Sequence, residues 1–193
     1  MRASDDRGDT DAMPADPDFT ELRTARLVIR RFRAEDAIAF AAYRSDPSIA
    51  RYQSWDDCTP EDAEAFVAEM ETAHPGVPGD WFQFAVGDPA SDELLGDVAI
   101  RVHADDTSRA ELGFTFAPAH QGKGFATEAV RAVIAYAFDR LGAETVLAIA
   151  DARNGASIAL LERIEMRRTV TEHVRFKDEW CDEHTYELGR DGG

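Results

Sequence analysis

The stretch Glu111-Leu-Gly-Phe-Thr-Phe-Ala-Pro-Ala-His-Gln-Gly-Lys-Gly-Phe-Ala-Thr-Glu-Ala129 decides the fold. Over residues 109–116 the pattern alternates. Ala110, Leu112, Phe114 and Phe116 fall on one face of an extended chain, and Glu111, Gly113 and Thr115 on the other, as in a half-buried strand. Beyond the quoted stretch, Val130, Val133, Ile134, Ala137, Phe138 and Leu141 recur at the spacing of a buried helical stripe, and Gly142 ends it. Between strand and helix lies Gln121-Gly122-Lys123-Gly124-Phe125-Ala126. Gly122 and Gly124 carry no Cβ, so the backbone can take unusual dihedrals and approach a ligand closely. The N–H groups of residues 122–127 then gather at a helix N-terminus, where partial positive charge favours a phosphate-bearing ligand. Lys123 adds a positive charge at the rim, and Ala126 leaves space where a larger side chain would intrude. The plainer alternative is a glycine turn joining strand to helix. A dinucleotide-binding loop is a further rival, but no ribose-binding acid follows about 20 residues on. Asp139 suits a solvated helix face instead.

Outward from this stretch the chain alternates strands and helices. Residues 26–33 read as a first strand, and residues 34–44 as a helix ending before Asp46-Pro47. Thr59 caps a second helix with Pro60 at its first position and Asp62 at its positive end. Residues 81–86 and 94–103 form a strand pair across the turn residues Gly87-Asp-Pro89. After the central helix come a short apolar strand over 145–150 and a helix capped by Asn154. A hairpin of residues 170–176 and 184–188 closes the chain. This order predicts one α/β (α+β) domain over residues 19–189, with a mixed sheet and helices on both faces. Residues 1–18, rich in aspartate and poor in apolar side chains, are expected to be a disordered acidic tail. Residues 190–193 are expected to be loose.

Bulk properties narrow the function classes. The chain has 193 residues, of which 44% are apolar, enough for one domain with a sizeable core. A formal net charge of −17 argues against nucleic acid or an anionic membrane as partner. It permits steering of a cationic amine, although acidity of this kind also serves plain solubility. No apolar run approaches the ~20 residues of a membrane span, and no signal peptide is evident. Cys58 and Cys181 read as free thiols of a reducing cytoplasm, with a disulfide as the weaker reading. The histidines show no metal-ligand spacing, so no metal is expected.

The loop fits the pattern Gln/Arg-x-x-Gly-x-Gly/Ala and resembles the acyl-CoA loop of the GNAT superfamily of N-acetyltransferases. The longer stretch resembles its RimJ/RimL-like branch. The resemblance extends over most of residues 22–188. It rests on Leu22-Arg-Thr-Ala-Arg-Leu27, Leu95-Gly96, Glu111-Leu-Gly-Phe114, Thr127-Glu128-Ala129, Asn154 with Ser157, and Trp180, Asp182 and Tyr186. It implies a mostly antiparallel sheet with a splayed central strand pair, acetyl-CoA as co-substrate and a primary amine as acceptor. A homodimer is one assembly it admits.

By that resemblance the pantetheine lies between the strand at Glu111 and the strand at Thr145. The backbone of Phe114 meets the thioester carbonyl, that of Phe116 the pantetheine amide, and residues Gln121, Gly122, Lys123, Gly124, Phe125, Ala126 and Thr127 hold the diphosphate. A backbone N–H at the thioester oxygen would stabilise developing negative charge. The amine must lose its proton to attack. An α-amine, with a pKa of about 7.7–8.0, asks less than a lysine at about 10.4. Glu111 is the candidate base, through water, or else an ion-paired strand residue. Ser157 is the candidate proton donor to the leaving thiolate, or else a first-turn capping residue. Leu161 stands where many members carry a tyrosine. Asn154 combines a helix cap with a cofactor contact. Tyr52 and Trp55 fall at the acceptor pocket, with a core role as the alternative for Trp55. Glu128 reads as a ligand contact or as an acid at a helix start. Glu165 replaces a glycine of the family, at a cost of roughly 1 kcal/mol if the site needs positive φ. With no cysteine in the motif, direct transfer in a ternary complex is favoured over an acyl-enzyme. The rival reading is a coenzyme A sensor without turnover.

Overall fold

A computed structural model describes residues 15–191. The strands are β1 (Glu21–Arg23), β2 (Val28–Arg30), β3 (Trp81–Gly87), β4 (Leu94–Val102), β5 (Arg109–Phe116), β6 (Thr145–Asp151), β7 (Arg167–Phe176) and β8 (Glu179–Gly189). The helices are α1 (Ala37–Arg44), α2 (Pro47–Ala50), α3 (Pro60–Thr72), α4 (Phe125–Asp139) and α5 (Gly155–Arg163). The strands form one sheet in the order β1-β2-β3-β4-β5-β6-β8-β7, antiparallel throughout except for the parallel pair β5 and β6.

The alternation read from the sequence assigns the two sheet faces. Phe82, Phe84, Val98, Ile100, Ala110 and Leu112 are buried together with Val130, Val133 and Ala137 of α4. The ring of Tyr136 in α4 stands edge-on to Phe84 at 5.7 Å. The opposite face carries Asp97 and Gln83 and is covered by α1. There the Tyr43 hydroxyl donates to Asp97 at 2.5 Å, and Arg44 donates to Gln83 at 2.6 Å. Helices therefore lie on both faces. The second helix starts as its sequence dictates: Thr59 and Asp62 form a reciprocal capping box, with Pro60 at the first position.

The central strands part as expected. β5 and β6 pair only through Arg109↔Thr145, Ala110↔Val146 and Glu111↔Leu147, whereas β4 follows β5 as far as Gly96↔Phe116. A Cβ on Gly96 would lie 2.8 Å from the Phe116 Cα, so that close approach requires glycine.

The closing hairpin is longer than expected, Arg167–Phe176 with Glu179–Gly189, and three further boundaries differ. The first strand is confined to Val28–Arg30 and is preceded by β1, which folds back through a turn closed by Thr24 N–H to the Leu27 carbonyl at 3.0 Å. The acidic tail was expected to reach residue 18. Its residues 1–14 lie outside the described residues, but Asp16 is buried and accepts hydrogen bonds from the Tyr136 hydroxyl at 2.9 Å and from Arg140 at 3.1 Å. Partners in α4 thus fix this carboxylate. At the other end, Arg190 N–H donates to the Glu144 carbonyl at 2.9 Å, so that residue is anchored rather than loose, and residues 192–193 lie outside the described ones.

Candidate active site

Gly122 and Gly124 take φ values of 71° and 81°. A Cβ on Gly122 would meet nothing within 4 Å, so the requirement there is conformational, not spatial. Gly124 is the residue before α4. It turns the chain so that the N–H groups of residues 122–127 find no backbone or side-chain acceptor among the described residues; the first bonded amide of the helix is Glu128 N–H, to Gly124. The loop is braced from behind. Arg26 donates to the Lys123 carbonyl at 3.0 Å and to Glu128 at 2.7 Å, and its guanidinium lies 4.7 Å from the centre of the Phe125 ring. Glu128 also accepts from the Thr24 hydroxyl at 2.6 Å. Burial pushes the Glu128 carboxyl up, but the hydrogen bonds from Thr24 and Arg26 outweigh it and hold the group below its ordinary value. The structure gives Glu128 a bracing role that neither of its sequence alternatives names, and both alternatives remain beside it.

The gap between β5 and β6 exposes backbone. The Arg109 carbonyl accepts from His103 N–H and Ala117 N–H donates to Leu95, both toward β4. By alternation the groups of Gly113 and Thr115 also face β4, while those of Leu112, Phe114 and Phe116 face the gap. The Phe116 carbonyl is taken by the Gln121 side chain at 2.9 Å. Gln121 is thereby a strut across the loop, and beyond the last β5–β6 pair, Glu111↔Leu147, the Phe116 N–H and both groups of Phe114 face the gap with no strand partner.

The gap and the glycine loop open into one cleft of about 930 Å³. Of the residues singled out from sequence, Tyr52, Phe114, Phe116, Gln121, Gly122, Gly124, Phe125, Ala126, Thr127, Glu128, Asn154 and Ser157 line it. Asn154 caps α5 through its side chain, accepting from Ser157 N–H at 3.2 Å. That leaves the Ser157 hydroxyl without a hydrogen-bond partner among the described residues. Lys123 does not line the cleft. Trp55 is turned away from it: its indole N–H donates to the Arg44 carbonyl at 3.2 Å, and the Arg44 guanidinium sits 3.8 Å from its ring centre. The core alternative is the one the structure shows for Trp55. Glu111 also lies outside the cleft lining and is ion-paired with Arg101, with His103 Nε2 at 3.8 Å.

Sequence reasoning missed the basic side chains of this cleft. Arg26, His120, Arg131 and Arg163 line it. Arg26 is paired with Glu128, which also lines the cleft, so Arg131 and Arg163 supply the excess positive charge there in a chain whose net charge is −17. Arg26 stood inside the motif Leu22-Arg-Thr-Ala-Arg-Leu27, where it was read as part of a strand. Ser48, Ile49 and Gln53 join Tyr52 at the other end. Among the described residues no group of His, Cys, Asp and Glu is arranged to hold a metal ion, and no helix is long and apolar enough to cross a membrane.

A cleft with unpaired strand backbone, a glycine-opened helix start and a basic rim suits an extended ligand carrying amides at one end and phosphates at the other. The chain is similar to known acetyltransferases. Residues 26–167 match the model of the acetyltransferase (GNAT) domain. An uncharacterised N-acetyltransferase of Bacillus subtilis, YnaD, is 30% identical over 169 residues, covering 86% of this chain and 95% of the relative. A GNAT-family acetyltransferase structure from Bacillus anthracis superposes with a TM-score of 0.78 at 26% identity, covering 89% of this chain and 99% of the other. The ribosomal-protein-S5-alanine acetyltransferase of Vibrio fischeri shares the fold with a TM-score of 0.76 at 19% identity, covering 90% and 98%.

Proposed function

From the premise that this chain belongs to the GNAT acetyltransferase family, we propose that it transfers acetyl from acetyl-CoA to a primary amine by direct attack in a ternary complex. The acceptor is a primary amine: a protein N-terminus of the RimJ/RimL kind first and a small-molecule amine second. The single observation that carries the cofactor assignment is the set of unpartnered N–H groups over residues 122–127 at the start of α4. An anion there meets oriented donors and a helix dipole without displacing any internal hydrogen bond. Arg131 and Arg163 add charge.

The co-substrate supplies an activated thioester. The chain's own groups do the rest. The Phe114 N–H, directed into the β5–β6 gap, is placed to stabilise negative charge on the thioester oxygen. The Phe116 N–H and the Phe114 carbonyl bind pantetheine amides in place of the missing β6 ladder. The free Ser157 hydroxyl protonates the departing thiolate. Glu111, held by Arg101 on the next strand, accepts the amine proton through water. An α-amine is already partly neutral near pH 8, which lightens the demand on that base.

The test pairs calorimetry with turnover. Coenzyme A should bind saturably, and thiol should be released from acetyl-CoA with peptides bearing free N-termini or with small amines. Gly124→Glu should abolish coenzyme A binding, because it places bulk and negative charge at φ 81° against phosphate. Unchanged affinity in that variant would refute the loop assignment. Tight binding with no turnover across a broad amine panel would establish the sensor reading instead.

A further inference from the structure

The β7–β8 hairpin ends in a two-residue turn whose central residues, Lys177 and Asp178, both take left-handed φ values of 47° and 63°. Asn-Gly is the pair that such a turn favours, because positive φ strains ordinary side chains. Strain of this kind persists where surrounding contacts impose it. Asp178 accepts from Arg175 within the hairpin at 2.9 Å, and the contacts that reach beyond the hairpin are made by the lysine. Its ammonium donates to the Ala50 carbonyl at 2.9 Å and to the Trp55 carbonyl, and it pairs with Asp56 at 2.7 Å. Ala50 and Trp55 bracket the loop that carries Tyr52 and Gln53 into the cleft, so one cation ties both ends of that loop. Beside it, Arg153 pairs with Glu179 at 2.9 Å, and its own carbonyl accepts from the Tyr52 hydroxyl at 3.3 Å. The seam between hairpin tip and loop is a cavity of about 410 Å³ lined by Pro47, Arg51, Phe176 and these charged groups. Hydrogen bonds and an ion pair thus tie the loop to the hairpin tip.

We propose that Lys177 is a positioning residue for the acceptor: the hairpin tip clasps the loop over residues 50–55 and so sets where Tyr52 and Gln53 stand at the acceptor end of the cleft. The inference rests on the acceptor reading given above. It makes acceptor affinity depend on a side chain that does not line the cleft, while no hydrogen bond or ion pair of Lys177 reaches β5, α4 or α5 among the described residues.

Lys177→Met removes the donor and keeps the aliphatic length. The double variant Lys177→Asn with Asp178→Gly removes the donor and relaxes the turn, so it should fold at least as well as the parent. In both, the amides of Tyr52 and Gln53, bonded to the Ile49 and Ala50 carbonyls in the intact loop, should exchange about tenfold faster or more, with the amides of α4 unchanged. The KM for the amine should rise about tenfold with the KM for acetyl-CoA within about twofold, and Lys177→Arg should restore most of the loss. Unchanged exchange in the double variant would overturn the clasp. So would a parallel loss of cofactor affinity, which would mark general loosening. If the parent bound coenzyme A but acetylated no amine, the acceptor reading alone would fall, and the exchange comparison would still decide whether the tip holds the loop.

Discussion

Glu111 is the residue whose proposed role depends most on its surroundings. Its carboxylate sits on β5 with a side chain only 14% exposed, clamped by Arg101 from the neighbouring strand and approached by His103. Both alternatives drawn from the sequence, base and ion-pair partner, fall on the same group. An ion-paired carboxylate on the strand that presents Phe114 can still pass a proton along water. Glu111→Gln should therefore lower turnover by about tenfold to a hundredfold at acidic to neutral pH and by less at alkaline pH, where the amine is already neutral. A kcat/KM profile of the variant parallel to the parent's across pH would remove Glu111 from the chemistry. Ser157 and Trp55 divide similarly by partner. The amide of Ser157 satisfies the Asn154 cap and its hydroxyl stays free for the cleft, whereas both the ring and the N–H of Trp55 are committed to Arg44.

Among the elements, the turn from α5 into β7 departs from the best local choice. Glu165 adopts φ 69°, a left-handed conformation that glycine takes without a Cβ penalty. The neighbouring Ile164 and Met166 are buried, which fixes the turn regardless of what stands between them. Glu165→Gly should stabilise the fold by roughly 1 kcal/mol, raising Tm by about 2–4 °C. Coenzyme A affinity should stay unchanged, because the residue lies outside the cleft. A thermal scan and a binding isotherm check both halves of the expectation. The α4 start is the opposite case: there the local choice, Gly122 and Gly124, agrees with the dihedrals observed, and the free amides follow from it.

Across the whole molecule, the N-terminal segment is bolted to the cofactor loop through Thr24, Arg26 and Glu128. The Glu128 carboxyl is held below its ordinary value of 4.5. A depressed carboxyl stabilises the fold fully above the unfolded value, and that contribution drains as the pH falls through the lower folded value. Stability and coenzyme A affinity should thus decline together as the pH drops below the ordinary carboxyl value, and Glu128→Gln should flatten that limb. Chemical denaturation at a series of pH values is the measurement. An acid limb in Glu128→Gln as steep as the parent's would show that other carboxylates carry it.

What the sequence determined by itself is what depends on neighbours along the chain. The glycine dihedrals ahead of α4, the capping box at Thr59 and Asp62, the Asn154 cap and the alternating faces of β5 are short-range facts, so residue order was enough to specify them. The order of elements likewise fixed the fold class. Tertiary structure alone decided which charges meet. Arg26 bonds to Glu128 across 102 residues and Lys177 to the Ala50 carbonyl across 127. Trp55 turns from the cleft to Arg44, and Asp16 is drawn out of an acidic tail to Tyr136. No local periodicity encodes such pairs, because their partners become neighbours only once the sheet has closed the intervening chain.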